Sequence, residues 1–566
     1  MSSQTLSRPS TDTRTSPDFA WVNEEARTFL RRGYLLDGVT PEERVRQIAE
    51  HAEGLLEIDG FADRFYEYMA RGYYSLASPV WSNFGLDRGL PISCFGSYIG
   101  DSMDAILDTH AEVGMMTKVG GGTSGYFGDV RPRGAPITNN GTSNGTYPFA
   151  TLFDRIINVI SQGETRRGHF AGYIDIEHPD VEEWLNIQTE GDAIQTMMYG
   201  VVVGDDWMQS MIDGDSEKRE LWAEVVESRM NLGIPYILFR DNVRRDRPQV
   251  YKDKGYDIKA SNLCSEIALP AGPDESFVCC LSSMNALHYD EWKNTDAVET
   301  LTFFLDAVMQ EFIDGAEGME HMGRAVRFAK RHRAIGIGIL GWHSYLQSNM
   351  IPFESTKASL IGTEIAKTIK ERSYAASEEM AERFGPAPLM DSRDDARRNT
   401  TTMAVAPTKS SSFILGQVSP SIEPIKSNYH VQDRAKMKIT YKNPHLKALL
   451  VEKGKDTDDV WEEIALRDGS VQHLEFLSDR EKDVFKTFSE ISQMAIVDQA
   501  AGRQTHIDQS QSLNLAIDPN AVPVKDINRL YVEVWKKGIK SLYYQHGVNA
   551  AQSFSRDLLA CRSCEA

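Results

Sequence analysis

Ala260-Ser261-Asn262-Leu263-Cys264-Ser265-Glu266-Ile267-Ala268-Leu269-Pro270 sets an amide, a thiol and a carboxylate within five residues near the middle of the chain. Read as extended backbone, the stretch sends alternate side chains to opposite faces, so Asn262, Cys264 and Glu266 share one surface. That surface then carries a hydrogen-bond donor and acceptor, a redox-capable sulfur and a potential base. The ordinary reading of an isolated cysteine flanked by Leu263 and Ile267 is a buried structural thiol. Two polar neighbours on the same face count against it, because they are costly beside a structural thiol unless satisfied.

Outward from this centre, short apolar runs alternate with helical patterns. Residues 92–99, 198–203 and 334–340 read as buried strands, and a glycine cluster spans 120–125. Helical patterns occupy 101–118, 300–315 and 359–384. Strand and helix alternating over several hundred residues predict an α/β fold with a covered, largely parallel sheet. Before this core, order is expected from about residue 20. A first helix starts at Thr40-Pro41-Glu42-Glu43, where a capping threonine, a proline in the first turn and early carboxylates agree, and a second covers 61–76. The expected division is a disordered Ser/Thr/Arg/Pro-rich leader over 1–19, a helical N-terminal subdomain over 20–90, one large catalytic domain over 91–545 and a flexible tail over 546–566.

The 566 residues carry a formal charge of -21, with 41% hydrophobic and 25% charged side chains. Such an acidic balance disfavours a protein that grips a nucleic-acid polymer. No run of eighteen or more apolar residues is present to span a membrane, and the leader lacks the apolar core of a secretory signal. A cytoplasmic location follows as an expectation. There, six cysteines in so long a chain rest as thiols rather than as a disulfide scaffold.

Several other motifs have a structural and a chemical reading. Gly336-Ile337-Gly338-Ile339-Leu340-Gly341 fits GxGxxG, yet residues 328–333 before it are basic and helical in texture, whereas a dinucleotide fingerprint needs a strand first. Close backbone packing is the better account. Pro407-Thr408-Lys409-Ser410-Ser411-Ser412 offers hydroxyls, a lysine and free N–H groups at a helix start, as a capping loop or an anion site. Residues 161–168, with Gln162 and two arginines, read by default as a solvated loop. Adjacent Tyr543 and Tyr544 on a strand predict one core and one surface ring. The terminal Cys561-Arg562-Ser563-Cys564 has no second pair for a zinc site, which leaves thiol–disulfide exchange from a mobile tail.

Taken together and in this order, from about residue 70 to the end, these segments resemble the large, catalytic subunit of class I ribonucleotide reductase. The resemblance implies a ten-stranded α/β barrel of two five-stranded parallel halves, with a central finger loop carrying the radical cysteine. It casts Cys264 as a transient thiyl radical that takes the ribose 3′-hydrogen, Glu266 as base on the 3′-hydroxyl and Asn262 as the group that orients the ribose. Cys94 and Cys279 become the pair that supplies electrons and ends as a disulfide; the adjacent Cys280 departs from the usual pattern, so either neighbour remains open as the partner of Cys94. Cys561 and Cys564 match the shuttle that re-reduces the pair and is recharged by thioredoxin or glutaredoxin.

By the same resemblance, Tyr543 and Tyr544 relay oxidation from a separate small (beta) subunit that holds the metal and radical cofactor, while the large subunit holds no metal. Ser78 and Ser93 lie at the substrate, and Pro407, Thr408, Lys409, Ser410 and Ser411 hold its diphosphate. Asp101, Gln162 and Arg166 match the site that reads nucleotide effectors (ATP, dATP, dTTP, dGTP) at a homodimer interface. Nothing ahead of residue 90 resembles the ATP-cone of many relatives, so dATP inhibition through such a domain is not expected. The tyrosine pair separates the chain from adenosylcobalamin-dependent reductases, and the tail cysteines separate it from glycyl-radical enzymes. The implied reaction converts ribonucleoside diphosphates to 2′-deoxyribonucleoside diphosphates.

Overall fold

The computed structural model describes residues 19–162, 166–434, 437–518 and 521–547. Helices Glu24–Arg31, Pro41–Leu56 and Phe61–Ala70 lead in. The second starts as its sequence predicts: the Thr40 hydroxyl accepts the Glu43 N–H and the Glu43 carboxylate accepts the Thr40 N–H at 2.8 Å, a reciprocal capping box. The helix expected over 61–76 is corrected. It ends at Ala70, where Gly72 takes a left-handed φ of +72° and turns the chain out. Tyr74–Leu76 then becomes the first strand, β1.

The remaining strands build a barrel. β2 (Cys94–Tyr98), β3 (Gly122–Tyr126), β4 (Phe170–Asp175), β5 (Met198–Val203) and β6 (Tyr236–Phe239) run parallel in that order. A second parallel set begins with β7 (Phe277–Asn285) and β8 (Ile335–Leu340). Residues 401–405 continue it through the Ile337–Met403 bridge, and residues 509–513 through the Val405–Gln511 bridge. Ser541–Leu542, β9, completes it, with the following Tyr543 N–H bonded to the Leu513 carbonyl at 2.9 Å. The two halves meet antiparallel at both seams, β2 on β7 and β9 on β6, so ten segments close a ring among the described residues. β1 covers the part of the β7 edge that β2 leaves open. The barrel of two five-stranded halves is borne out.

The glycines of the apparent nucleotide fingerprint lie on β8 itself. A Cβ on Gly336 would sit 2.5 Å from Leu281 and 2.9 Å from Ala404, and one on Gly338 would sit 2.8 Å from the Ser283 hydroxyl. Close packing between neighbouring strands explains them. Around the ring lie the helices Met103–Lys118, Ala297–Ala316 and Thr356–Phe384, at the three helical stretches expected from sequence. A small separate core of Leu446, Leu450, Trp461 and Ile464 forms beyond the barrel. No helix among the described residues is long and apolar enough to cross a membrane.

Candidate active site

The segment around Cys264 runs inside the barrel, and it is not extended there. Asn262 to Ser265 make a turn, closed by the Ser265 N–H on the Asn262 carbonyl at 3.3 Å, with Ser265 at φ +63°. Among the described residues no strand pairs with this loop, and its buried carbonyls take donors from the barrel wall instead. The Tyr173 hydroxyl donates to the Asn262 carbonyl at 2.7 Å, Ser512 to that of Cys264 at 2.6 Å and Ser541 to that of Ser265 at 2.7 Å. The Ser510 N–H reaches the Glu266 carbonyl at 2.8 Å. Strand alternation therefore does not position the three side chains. The turn and its clasps do.

Each of the three side chains meets a different partner. The Asn262 amide accepts the Ile267 N–H at 3.1 Å and donates to the Cys94 sulfur at 3.1 Å, so one residue both braces the turn and touches a second thiol. Cys94 on β2 lies directly opposite Cys279 on β7. Opposed Cα atoms in antiparallel strands are about 4.5–5.5 Å apart, within the span a disulfide bridges. Cys280 faces the other way, its thiol donating to the Leu305 carbonyl of the outer helix Ala297–Ala316 at 3.3 Å. Strand alternation thus decides which neighbour faces Cys94: Cys279. Burial holds the Cys279 thiol well above its ordinary pKa.

Glu266 is 1% exposed, and burial pushes its carboxyl up to about 7. Hydrogen bonds from its own backbone, Asn262 and Ser512 oppose that rise only in part, with the Ser512 hydroxyl 3.1 Å from Oε2. A carboxylate poised near neutrality suits proton abstraction at physiological pH.

The Tyr543 hydroxyl donates to the Cys264 sulfur at 3.6 Å, and the Tyr543 and Tyr544 ring centroids are 4.3 Å apart. Both rings are buried, which corrects the expectation of one surface ring. The pair lies just past the short β9, and Tyr236 of β6 packs on both rings, at 4.9 and 5.2 Å. The buried Arg229 guanidinium holds the Tyr543 carbonyl at 3.0 Å.

At the other motif, Thr408 takes φ +50° and opens the short helix Lys409–Ile414, while its hydroxyl accepts the Ser421 N–H at 2.7 Å. Ser75 and Ser411 exchange bonds with each other's segments: Ser75 donates to the Ser411 carbonyl at 3.0 Å and Ser411 to the Leu76 carbonyl at 3.3 Å. This ties the loop to β1 and to the buried Ser78 just beyond it. The hydroxyls of Ser93, Ser410 and Ser421 are buried without a hydrogen-bond partner among the described residues. An unpaired buried hydroxyl costs about 1–3 kcal/mol.

Asp101 is engaged by Arg131, whose Nε lies 2.9–3.0 Å from both carboxylate oxygens. Gln162 is buried rather than solvated, donating to Asn83 and to the Arg88 carbonyl, both at 2.9 Å. Its backbone lies opposite that of Arg166 in a short antiparallel pairing. The structure therefore gathers Asn262, Cys264, Glu266, Cys94, Cys279 and Tyr543 in one interior, and sets Asp101 and Gln162 apart from it. Cys561 and Cys564 lie outside the described residues. Among the described residues, no cluster of three His, Cys, Asp or Glu side chains forms a metal site.

Sequence reasoning passed over Tyr173, Gln509, Ser512, Tyr236 and Arg131. The stretch 509–513 reads Gln-Ser-Gln-Ser-Leu, polar but for Leu513, and gives no apolar run to signal that it lines a barrel. Its alternation of amide and hydroxyl side chains was the one available cue.

Comparison with known proteins agrees with this architecture. The family description "Ribonucleotide reductase, barrel domain" matches residues 92–217, 213–398 and 392–545, and "Ribonucleotide reductase, all-alpha domain" matches 22–89. The chain is 34% identical to the ribonucleoside-diphosphate reductase large subunit of Invertebrate iridescent virus 3, over 90% of this chain and 91% of that one. It is 30% identical to the large chain of Schizosaccharomyces pombe, over 94% and 75%. Among solved structures, the Actinobacillus ureae class Id ribonucleotide reductase alpha subunit superposes with a TM-score of 0.90 at 58% identity, covering 97% of this chain and all of that one. A barrel clasping a central cysteine loop, a cross-strand thiol pair and matches over nearly the whole length lead to one conclusion: the chain belongs to the ribonucleotide reductase large-subunit family.

Proposed function

We propose that this chain reduces ribonucleoside diphosphates to 2′-deoxyribonucleoside diphosphates through a radical carried by Cys264. The observation that supports this best is a single line of contact inside the barrel. Tyr543 reaches the Cys264 sulfur, the Cys264 loop carries the buried Glu266, and Asn262 touches Cys94, which opposes Cys279.

In this reading Tyr543, with Tyr544 behind it, takes a hydrogen atom from Cys264, driven by the metal and radical cofactor of a small-subunit partner. The Cys264 sulfur removes the ribose 3′-hydrogen while Glu266 accepts the 3′-hydroxyl proton. Asn262 orients the sugar. The 2′-hydroxyl leaves as water as Cys94 and Cys279 give up two electrons and their two protons and join as a disulfide, and Cys264 then returns the hydrogen atom to C3′ and is itself left as the radical again. Cys561 and Cys564 return the electrons, recharged by thioredoxin or glutaredoxin in the cytoplasm. Lys409, Ser410, Ser411 and their neighbours Pro407 and Thr408 receive the diphosphate, with Ser78 and Ser93 near the sugar; the unpaired buried hydroxyls of Ser93 and Ser410 support a polar occupant. Asp101, Gln162 and Arg166 report effector nucleotides (ATP, dATP, dTTP, dGTP) across a homodimer.

The test is CDP reduction with dithiothreitol and an adenine nucleotide effector, with and without the cognate small subunit. Turnover that needs the small subunit and vanishes in Cys264→Ala and in Tyr543→Phe is expected. Survival of Tyr543→Phe, or turnover with adenosylcobalamin alone, refutes the relay.

A further inference from the structure

Cys94 and Cys279 are opposite one another, but their sulfurs are not equivalently surrounded. Cys279 is fully enclosed, and Gly336 lies so close that a Cβ there would be 3.4 Å from its sulfur. Cys94 keeps 6% of its surface open. Each sulfur also has its own carboxamide: Asn262 at 3.1 Å from Cys94, and the fully buried Gln509 at 3.7 Å from Cys279.

The two amide protons of Gln509 face three acceptors: the Ile335 carbonyl at 3.0 Å, the Thr401 hydroxyl at 3.1 Å and the Cys279 sulfur. A neutral thiol takes the weakest share of such a set. A thiolate is a far better acceptor, and charge-assisted hydrogen bonds are about twice as strong as neutral ones. Thr401 also donates to the Ile335 carbonyl at 3.2 Å, so its hydroxyl stays paired when one amide proton turns to sulfur.

We propose that Gln509 is a positioning residue that fixes the polarity of the Cys94–Cys279 disulfide: an incoming thiolate attacks the Cys94 sulfur, and Cys279 leaves as the thiolate, held by the Gln509 amide. The inference rests on the reading of these two cysteines as the reducing pair. The new bond joins the incoming sulfur to Cys94. The Cys94–Cys279 bond breaks with its electron pair on Cys279, which later takes a proton. The second thiol of the incoming dithiol then attacks its own first sulfur as thiolate and frees Cys94 beside the Asn262 amide. The pair gains two electrons and the dithiol becomes a disulfide. Exchange is faster when the departing thiolate is the better stabilised one and the attacked sulfur the more accessible. Burial alone makes Cys279 a poor leaving group, which is why its amide matters.

The full chain, oxidised with diamide, is mixed with the monothiol 2-mercaptoethanol, quenched at short times with iodoacetamide and mapped by mass spectrometry. Mercaptoethanol on Cys94 with alkylated Cys279 is expected; the reverse pattern overturns the proposal. In Gln509→Leu, reduction of the disulfide by dithiothreitol slows about tenfold, the loss of one hydrogen bond to a charged group, and adducts spread over both sulfurs. Gln509→Glu slows it further as pH rises and the new carboxylate ionises. Wild-type rate together with wild-type polarity in Gln509→Leu overturns the proposal. The wild-type map decides by itself if the variants do not fold. Absence of any Cys94–Cys279 disulfide after oxidation overturns the underlying pair as well, whereas a disulfide with reversed adducts overturns only the polarity.

Discussion

Replacing Glu266 by glutamine separates what this carboxylate does for stability from what it does for chemistry. Its pKa is raised from 4.5 to about 7 by burial among Asn262, Ser512 and the loop backbone. The folded protein therefore holds a proton that the unfolded chain releases nearer 4.5. Between those values the native state binds more protons, so stability falls as pH rises, and the loss is complete above about 7. At 1.36 kcal/mol per unit, ionised Glu266 costs the fold about 3 kcal/mol. Glutamine matches the neutral acid in shape, keeps an oxygen for the Ser512 hydroxyl and cannot ionise. Glu266→Gln is thus expected to match wild type at about pH 4, below the unfolded pKa, and to exceed it by about 3 kcal/mol at about pH 8. Paired denaturant titrations from about pH 4 to 8.5 measure the difference. In the same interval, wild-type kcat/KM for CDP should show an acid limb near 7, because the base must be ionised, and Glu266→Gln should show no turnover. A stability gap that stays flat with pH, or a wild-type profile with no limb between 6 and 8, refutes the buried-base reasoning.

Further outcomes follow from individual contacts. Cys280→Ser should retain turnover, since its side chain faces the Leu305 carbonyl and a hydroxyl can make the same bond, whereas Cys279→Ser should stop multiple turnover; steady-state CDP reduction distinguishes them. Ser512→Ala removes a donor from both Glu266 and the Cys264 carbonyl. Loss of that donor raises the Glu266 pKa further, so the acid limb of kcat/KM should move to higher pH.

The chemistry was legible in sequence wherever short-range spacing carries it. Asn262-Leu263-Cys264-Ser265-Glu266, the cysteine positions and Tyr543-Tyr544 are local patterns, and the capping box at Thr40 and the apolar strands 198–203 and 334–340 follow from side-chain type alone. Two barrel segments escaped because Thr401, Thr402, Gln509, Ser510 and Gln511 are polar yet buried, and their burial is balanced by bonds to residues far along the chain. Hydrophobic periodicity is blind to a strand whose side chains are satisfied rather than apolar.

By itself, then, the sequence determined which groups are present and that helices and strands alternate in an α/β pattern, while the barrel was implied only by the family resemblance. Only the tertiary structure decided that Cys279 rather than Cys280 faces Cys94, that both tyrosines are buried, and that the Cys264 loop is a turn clasped by Tyr173, Ser512 and Ser541. The physical reason is separation along the chain. Tyr543 meets Cys264 across 279 positions, and Ser512 meets Glu266 across 246. Contacts of that span depend on where the barrel's seams close, which no local spacing encodes.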